Sequence, residues 1–143
     1  MSAIVLGQDD AVGNWVCREI GKLWVPGAGR ALGWTDSSGD LIAGVTFTNF
    51  DGVNVWLDCA AKPKTRWLDR RGLWAIFHYC FEQLGVTRVT VAVPENNDKS
   101  IKLVKSGGFK YEARLEKAAP QGYDMLIFRM FDHECRWLSR KAV

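Results

Sequence analysis

The densest positive charge of the sequence lies in one short segment, Ala61-Lys-Pro-Lys-Thr-Arg66. It stands directly before a stretch whose apolar spacing predicts a helix from Trp67 to Leu84. Lysine and arginine side chains in such a loop can hold phosphate groups through charge-assisted hydrogen bonds. A solvated surface loop is the alternative. The formal net charge of the whole chain is only +3, which argues against a nucleic-acid partner.

Histidine and cysteine occur twice at a spacing of two residues, as His78/Cys80 and His133/Cys135. Side chains two positions apart on a helix point to different faces, and no second pair has the spacing of zinc ligands. We therefore expect no metal site. All four cysteines stand far apart in apolar stretches: Cys17, Cys59, Cys80 and Cys135. They are predicted to be reduced thiols of the core, as in cytoplasmic proteins.

The composition is that of an ordinary globular protein. The 143 residues are 48% hydrophobic and 24% charged, which predicts one domain over residues 1–143 with a core of its own. The longest apolar runs are a few residues long, so no membrane span is expected. Residues 1–10 lack the pattern of a signal peptide. We expect a cytoplasmic protein.

Hydrophobic periodicity and turn residues predict the element order β-α-β-β-β-α-β-α-β-β. The strands are expected at residues 2–6, 30–35, 41–50, 53–60, 86–93, 109–115 and 125–131, and the helices at 9–20, 67–84 and 98–106. The pattern of residues 53–93 predicts a strand, a long helix and a second strand. Two strands joined in this way are normally parallel. The predicted fold class is therefore α/β or α+β, with a mixed sheet and helices on both of its faces.

The chain has seven tryptophans, many for its length. Trp24 and Trp34, before and within the early strands, are candidates for lining a cleft, with core packing as the alternative. The helical periodicity places Trp74 on the core side of its helix.

Three short motifs follow one another at fixed spacing. They are Phe81-Glu-Gln-Leu-Gly-Val-Thr-Arg-Val89, Val93-Pro-Glu-Asn-Asn-Asp-Lys-Ser100 and Ser106-Gly-Gly-Phe-Lys-Tyr-Glu-Ala-Arg114. Together they resemble the GCN5-related N-acetyltransferase family, in which a helix ending in Leu-Gly, a strand, an Asn-x-x-Ser/Ala helix, Gly-Phe and a further strand succeed one another. The resemblance covers roughly residues 30–138. It implies a mostly antiparallel sheet with a central parallel β-α-β unit.

Two further sequence features indicate which members of the family the chain is most similar to. Asp124 ahead of Met125-Leu-Ile-Phe is similar to the RimJ/RimL-like branch of the family. The run Glu134-Cys-Arg-Trp-Leu138 is similar to the end of several small phage-encoded acetyltransferases. The resemblance implies transfer of an acetyl group from acetyl-CoA to a primary amine, which would be a protein N-terminus, a lysine or a small metabolite. The RimJ/RimL likeness favours a protein acceptor.

The family binds the diphosphate of CoA at a helix N-terminus, behind an R/Q-x-x-G-x-G/A loop. That loop corresponds to residues 64–69 here, where Trp67 and Asp69 replace both glycines. Positive charge in the basic segment can compensate for the missing glycines. The residues that the resemblance implies for acetyl-CoA are Cys59, Ala60, Lys64, Thr65, Arg66, Trp67, Leu68, Asn97 and Ser100. Simple helix capping is the alternative role of Asn97.

The usual catalytic positions of the family hold Asn54, Ala92 and Val104 in this sequence, so the usual acid and base are absent. In the family, the two central strands splay apart around the thioester. Asp58 and Glu95 belong to the C-terminal ends of those strands, and either is implied as a general base acting through a water. Two alternatives remain: these carboxylates are ordinary surface groups, or positioning alone carries the reaction.

Two other functions stay open at this point. The missing glycines favour a catalytically inactive protein that keeps the fold as a binding or assembly module. Transfer to a modified nucleobase is a third possibility, which the weak net charge does not encourage. The oligomeric state is open as well, a homodimer included.

Overall fold

The structure is a computed structural model, and it describes residues 2–138. Met1 and residues 139–143, which belong to the predicted domain, lie outside the described residues. The strands are β1 (Ala3–Val5), β2 (Gly29–Thr35), β3 (Leu41–Thr48), β4 (Asn54–Ala61), β5 (Arg88–Pro94), β6 (Lys110–Leu115) and β7 (Met125–Phe131). The helices are α1 (Asp9–Ile20), α2 (Arg70–Phe77), which continues as a π-helix (His78–Leu84), and α3 (Asp98–Ser106). No helix within residues 2–138 is long and apolar enough to cross a membrane.

The seven strands form one sheet in the order β1-β2-β3-β4-β5-β7-β6. The pair β4–β5 is parallel, and the five other neighbouring pairs are antiparallel. The crossover between the two parallel strands contains α2, as the β-α-β pattern predicted. The predicted fold class, a mixed and mostly antiparallel sheet with a central parallel unit, is confirmed.

Helix α1 lies close against one face of the sheet because two glycines stand opposite each other there. Gly33 pairs with Gly44 across β2 and β3. A Cβ added to Gly44 would come within 2.6 Å of Val16, and one added to Gly33 within 2.9 Å of Val12. The absence of these two side chains therefore leaves the space that the valines of α1 fill.

The opposite face of the sheet carries α2 and α3 over the main core, so helices lie on both faces as predicted. The largest side chains that are fully buried there are Trp34, Phe128 and Met130. Trp24 is also buried, and its indole N–H donates to Asp10 at 2.8 Å. Trp24 and Trp34 are thus core residues rather than the lining of a cleft. The prediction for Trp74 is wrong, because the side chain is 47% exposed and stacks on His78.

The predicted start of the second helix is also wrong, by three residues. Asp69 is the N-cap of α2, and its carboxylate accepts the Gly72 N–H at 2.9 Å. Trp67, the expected first helical residue, lies before the cap and is only 7% exposed. Its ring packs edge-to-face on Trp34 with a centroid distance of 4.8 Å. Because of this tertiary contact and the aspartate cap, the helix begins at Arg70 rather than at Trp67.

Ion pairs fasten the C-terminal strands, and Glu134 makes several of these contacts. Its carboxylate accepts the Phe131 N–H at 3.0 Å, the Arg129 guanidinium at 2.8 Å and the Lys110 ammonium at 3.1 Å. The backbone hydrogen bond from Phe131, helped by the two cations, lowers the pKa of Glu134 to about 2. An unfolded glutamate has a pKa of about 4.3, so the folded state holds this carboxylate more firmly in its charged form.

We predict that acid removes this stabilisation. Because the folded pKa lies below the unfolded one, the contribution of Glu134 is complete above about pH 4.5 and disappears as the pH falls towards 2. Glu134→Gln is expected to lower the free energy of unfolding by about 1 kcal/mol at pH 7, with a difference that shrinks towards pH 2. Urea unfolding across this pH range measures it. Glu116→Gln, at an exposed position, is the control; an equal loss in both variants would contradict the assignment.

Candidate functional site

The central feature of the site is the place where β4 and β5 separate. Their pairing begins at Asn54↔Arg88 and ends at Leu57↔Val91. Beyond that point, β4 stays with β3 as far as Ala61, and β5 stays with β7 as far as Pro94. The sheet therefore opens between its two halves. Backbone groups that β4 turns towards this opening are available to a ligand, because buried backbone groups need a hydrogen-bond partner.

An apolar pocket of about 230 Å³ lies at the opening, on the face covered by α2 and α3. Its lining is mostly apolar and comes from both strands, both helices and the C-terminal segment: Val45, Leu57, Asp58, Cys59, Trp67, Leu68, Leu73, Ile76, Phe77, Val91, Leu103, Val104, Ser106, Gly107, Phe109 and Trp137. Trp137 is fixed beside it, because its indole N–H donates to the Gly107 carbonyl at 2.7 Å. The pocket suits an extended, largely uncharged chain.

A larger cleft of about 780 Å³ continues from this pocket, with which it shares lining residues such as Cys59 and Leu103. Its charged lining is mainly basic, and these side chains are exposed: Lys62, Arg66, Lys99 and Lys102. Two acidic residues, Glu19 and Asp69, line the cleft as well. The excess of cations fits an anionic ligand, since exposed lysine and arginine side chains supply charge-assisted hydrogen bonds to phosphates.

The cleft brings together most of the residues that the resemblance implied for acetyl-CoA. Those that line it are Cys59, Ala60, Thr65, Arg66, Trp67, Leu68, Asn97 and Ser100. Lys64 lies outside the lining; it is exposed and has a left-handed backbone conformation with φ 63°. The basic segment is thus divided, because the turn at Pro63 and Lys64 directs Lys62 and Arg66, but not Lys64, to the cleft.

The N-terminus of α2 carries a carboxylate from the chain itself. A helix leaves its first N–H groups without intrahelical partners, which makes its N-terminus attractive to anions. Here the Gly72 N–H is bonded to Asp69, while the N–H groups of Arg70 and Arg71 belong to the same first turn. Asp69, which stands where the resembled family has its second glycine, therefore places a negative charge beside the first amides of α2.

Asn97 caps α3 in the structure. Its side-chain oxygen accepts the Ser100 N–H at 3.1 Å, and both residues line the cleft. The capping role that the sequence left as an alternative is thus present. It does not exclude ligand contact, because Asn97 is exposed and the cap uses only its side-chain oxygen.

Asp58 lies immediately past the last β4–β5 pair, with its side chain on the α1 face of the sheet. Both carboxylate oxygens accept hydrogen bonds from the Lys22 ammonium, each at 3.1 Å. The Asp58 side chain is 19% exposed and that of Lys22 is 50% exposed. Cys17 of α1 lies nearby: burial, followed by the Asp58 charge, raises the pKa of its thiol.

Glu95 has a different environment from Asp58. One carboxylate oxygen accepts the Arg114 guanidinium at 2.9 Å, and the other accepts the Asp124 N–H at 2.7 Å. Arg114 also bonds the Asp124 carboxylate at 2.8 Å. Glu95 therefore ties the end of β5 to β6 and to the loop before β7. No local sequence signal indicates this network, because its members lie 10 to 29 positions apart along the chain.

Cys59 corrects the expectation that all the cysteines are core residues. Cys17 and Cys80 are buried, but Cys59 is exposed and forms part of the wall of the cleft. It faces the α2 side of β4, past the point where the core covers the strand. Desolvation by the surrounding protein atoms raises the pKa of the Cys59 thiol to about 11, and the charge of Asp58 adds to this rise. The thiol is therefore protonated at neutral pH.

Metal ligation finds no support in this part of the molecule. Among residues 2–138, no group of three or more histidine, cysteine, aspartate or glutamate side chains could hold a metal ion.

No protein-family model and no curated protein matches the sequence. The fold matches solved structures of N-acetyltransferases. Mutant forms of the spermidine/spermine N-acetyltransferase SpeG from Vibrio cholerae superpose with a TM-score of 0.74 over 99% of each chain, at 14% identity. A spermidine N-acetyltransferase chimera of Vibrio cholerae SpeG and hSSAT gives 0.66 at 18% identity, covering 80% of this chain and 74% of that one.

A structure described as a probable acetyltransferase also matches, with a TM-score of 0.66 at 18% identity over 74% of this chain and 62% of that one. At such identities, a shared fold is what the likeness establishes. The chain has the fold of the GCN5-related N-acetyltransferases, as its motifs predicted.

Proposed function

We propose that the protein is an acetyl-CoA-dependent N-acetyltransferase that acetylates a primary amine. One observation carries the proposal: where β4 and β5 separate, the basic cleft and the apolar pocket meet the part of β4 that carries Asp58, whose carboxylate is bonded to Lys22 on the α1 side. A donor held on the α2–α3 side could thus be reached by an amine from the α1 side. Bringing two reactants together at one opening is itself a large part of catalysis.

The donor side fits the chemistry of acetyl-CoA. This molecule has an apolar pantetheine arm, a diphosphate and a 3′-phosphate, and its thioester carbonyl would supply the electrophile when bound. Lys62, Arg66, Lys99 and Lys102 would hold the phosphates, and the apolar pocket would take the arm. Asp69 opposes phosphate binding, but four cations against two acidic residues leave the cleft favourable to a polyanion.

Asp58 is the general base in this proposal. The attacking amine must lose a proton, and Asp58 is the carboxylate immediately past the last β4–β5 pair, with a side chain that is 19% exposed. Glu95, the other candidate, would have to give up its bonds to Arg114 and to the Asp124 N–H. The usual family positions offer no substitute, because Asn54 is bonded to Thr90 at 2.7 Å and Val104 lies in the core.

The acceptor is proposed only as a class, a primary amine. Structural neighbours named as spermidine N-acetyltransferases support a small polyamine, whereas the RimJ/RimL resemblance supports a protein amine. We place the reaction in a reducing compartment such as the cytoplasm, where the free thiols of Cys17, Cys59 and Cys80 would persist.

A second function has one specific observation in its favour. Trp67 and Asp69 stand where the family has glycines, and the Asp69 carboxylate already occupies one amide of the α2 N-terminus. A protein that had lost CoA binding would tolerate both changes. A non-catalytic binding module is therefore the rival that the first experiment must exclude.

We predict that acetyl-CoA raises the melting temperature of the protein. At a hundred times the dissociation constant, the ligand adds about 2.7 kcal/mol to the free energy of unfolding. Arg66→Ala, which removes a cation of the cleft, is expected to weaken binding by on the order of tenfold. Lys64→Ala is the matched control, since Lys64 belongs to the same loop but not to the cleft. If millimolar acetyl-CoA leaves the melting temperature unchanged, the binding module becomes the better description.

The alkylation rate of the Cys59 thiol tests whether the ligand binds in the cleft. Because its pKa is about 11, alkylation by iodoacetamide is expected to accelerate about tenfold per pH unit up to that value. Acetyl-CoA in the cleft should slow the alkylation at every pH. Peptide mapping follows the reaction, and Cys59→Ser identifies the signal. Alkylation that acetyl-CoA does not slow would place the ligand elsewhere.

Asp58→Asn tests the base. The change keeps the shape of the side chain and removes the proton acceptor, so turnover should fall by on the order of a hundredfold while acetyl-CoA affinity holds. Glu95→Gln, at the end of the neighbouring strand, is expected mainly to lower the melting temperature, because it weakens the network with Arg114. The reverse pattern would transfer the role to Glu95, and unchanged turnover in both would mean that positioning alone carries the reaction.

A further inference from the structure

Lys22, a residue of the chain itself, places a primary amine at the opening. Lys22 directs its ammonium at Asp58 and donates to both carboxylate oxygens. The two residues are 36 positions apart, so the fold, and not local sequence, brings them together. The Lys22 ammonium thus makes with this carboxylate the kind of hydrogen bond that an amine substrate would make there.

The backbone of Lys22 is held firmly while its side chain remains accessible. Gly21 ends α1 in the left-handed conformation with φ 75°, and the Lys22 N–H donates to the Cys17 carbonyl at 2.8 Å. These contacts fix the base of the side chain at the end of α1. The side chain beyond is half exposed, which leaves its amino group free to move a few ångströms from Asp58.

The position of Lys22 differs from that of the cleft lysines. Lys62, Lys99 and Lys102 line the basic cleft, where phosphates would lie, and α1 contributes Glu19 and Ile20 to that cleft but not Lys22. Lys22 approaches the opening from the α1 face through Asp58, the first residue of β4 beyond its pairing with β5. If the donor phosphates lie among the cleft lysines, a nucleophile at this position would face the reacting end of the donor rather than its charged end.

We propose that the Nζ of Lys22 is an acyl acceptor of this protein, acetylated within its own chain. The inference rests on the proposed function, since it requires an acetyl thioester at the opening. The Lys22 ammonium first gives a proton to Asp58 or to a water beside it. The neutral amine attacks the thioester carbonyl, an N–C bond forms, the C–S bond breaks, and the CoA thiolate leaves and takes up a proton. The products are acetyl-lysine, CoA and one proton released to solvent.

Acetylation of Lys22 would change the site for every other amine. The amide has no positive charge and cannot maintain the ion pair with Asp58. The carboxylate then becomes available to an external ammonium group. Unmodified Lys22 is thus a competitor for the acceptor position, and its acetylation removes that competitor.

The test is incubation of the purified protein with acetyl-CoA, followed by intact mass and peptide mapping over time. We expect one acetyl group per chain, on Lys22, with a first-order rate that does not change with protein concentration. Asp58→Asn should slow this modification by on the order of tenfold or more, and a melting curve verifies that the variant is folded. Lys22→Arg, which keeps a cation opposite Asp58, should prevent it.

A second variant gives an independent reading. Relative to the unmodified protein, Lys22→Ala should lower the KM for an added primary amine several-fold, because Asp58 is then uncovered. Lys22→Arg should keep the KM of the unmodified protein, because its cation still covers Asp58, and that KM should lie above the KM of protein already acetylated on Lys22. Acetylation spread over many lysines, at rates that Asp58→Asn does not alter, would mean chemical acetylation and overturn the inference. CoA release with an added amine but no acetyl-Lys22 would also overturn it, while the proposed function survived. Absence of acetyl-CoA binding would refute both together.

Discussion

The separation of β4 from β5 is the constraint on which the rest of the site depends. A strand that leaves its neighbour loses hydrogen bonds, and a folded protein accepts that loss where the groups find another partner. Each of the two strands keeps its outer neighbour beyond the opening, with β3 paired to Ala61 and β7 paired to Pro94. The network of Glu95, Arg114 and Asp124 holds the β5 side in place. The opening is therefore a built feature of the sheet and not a frayed end.

The opening also decides how charge is distributed around the site. Alternation along β4 sends the Asp58 side chain towards Lys22 of the α1 side and the Cys59 side chain towards the cleft, so the carboxylate and the cleft lysines approach the strand from different directions. Phosphates and an ammonium group could thus be bound at once without direct contact between the cleft cations and the incoming cation. The division suits a reaction in which a polyanionic donor meets a cationic acceptor.

Local signals predicted much of the fold. The bounds of α1, α3 and β7 agree with the sequence prediction, because acidic first turns, glycines after the helices and β-branched or aromatic runs are strong signals. The start of α2 was missed, since the burial of Trp67 against Trp34 depends on residues that are distant in sequence. The exposure of Cys59, the network of Glu95 and the Lys22–Asp58 pair were beyond reach for the same reason. Each depends on which strands separate in the folded sheet, and the amino-acid composition contains no signal for this separation.

The loop before α2 has Trp67 and Asp69 where the resembled family has two glycines, and the packing of these two residues decides what each difference would do to a bound phosphate. Glycine serves such loops because the backbone can approach a phosphate where no side chain intervenes. The Trp67 ring turns into the core and so does not fill the cleft, which makes the first replacement mild. The Asp69 replacement is different, because its carboxylate is itself an anion at the α2 N-terminus. Long cationic side chains can grip a phosphate farther from the backbone. Arg66 and Lys62 would then hold the ligand from outside the first turn of α2, and the affinity of the site would depend on side-chain charge more than on backbone amides.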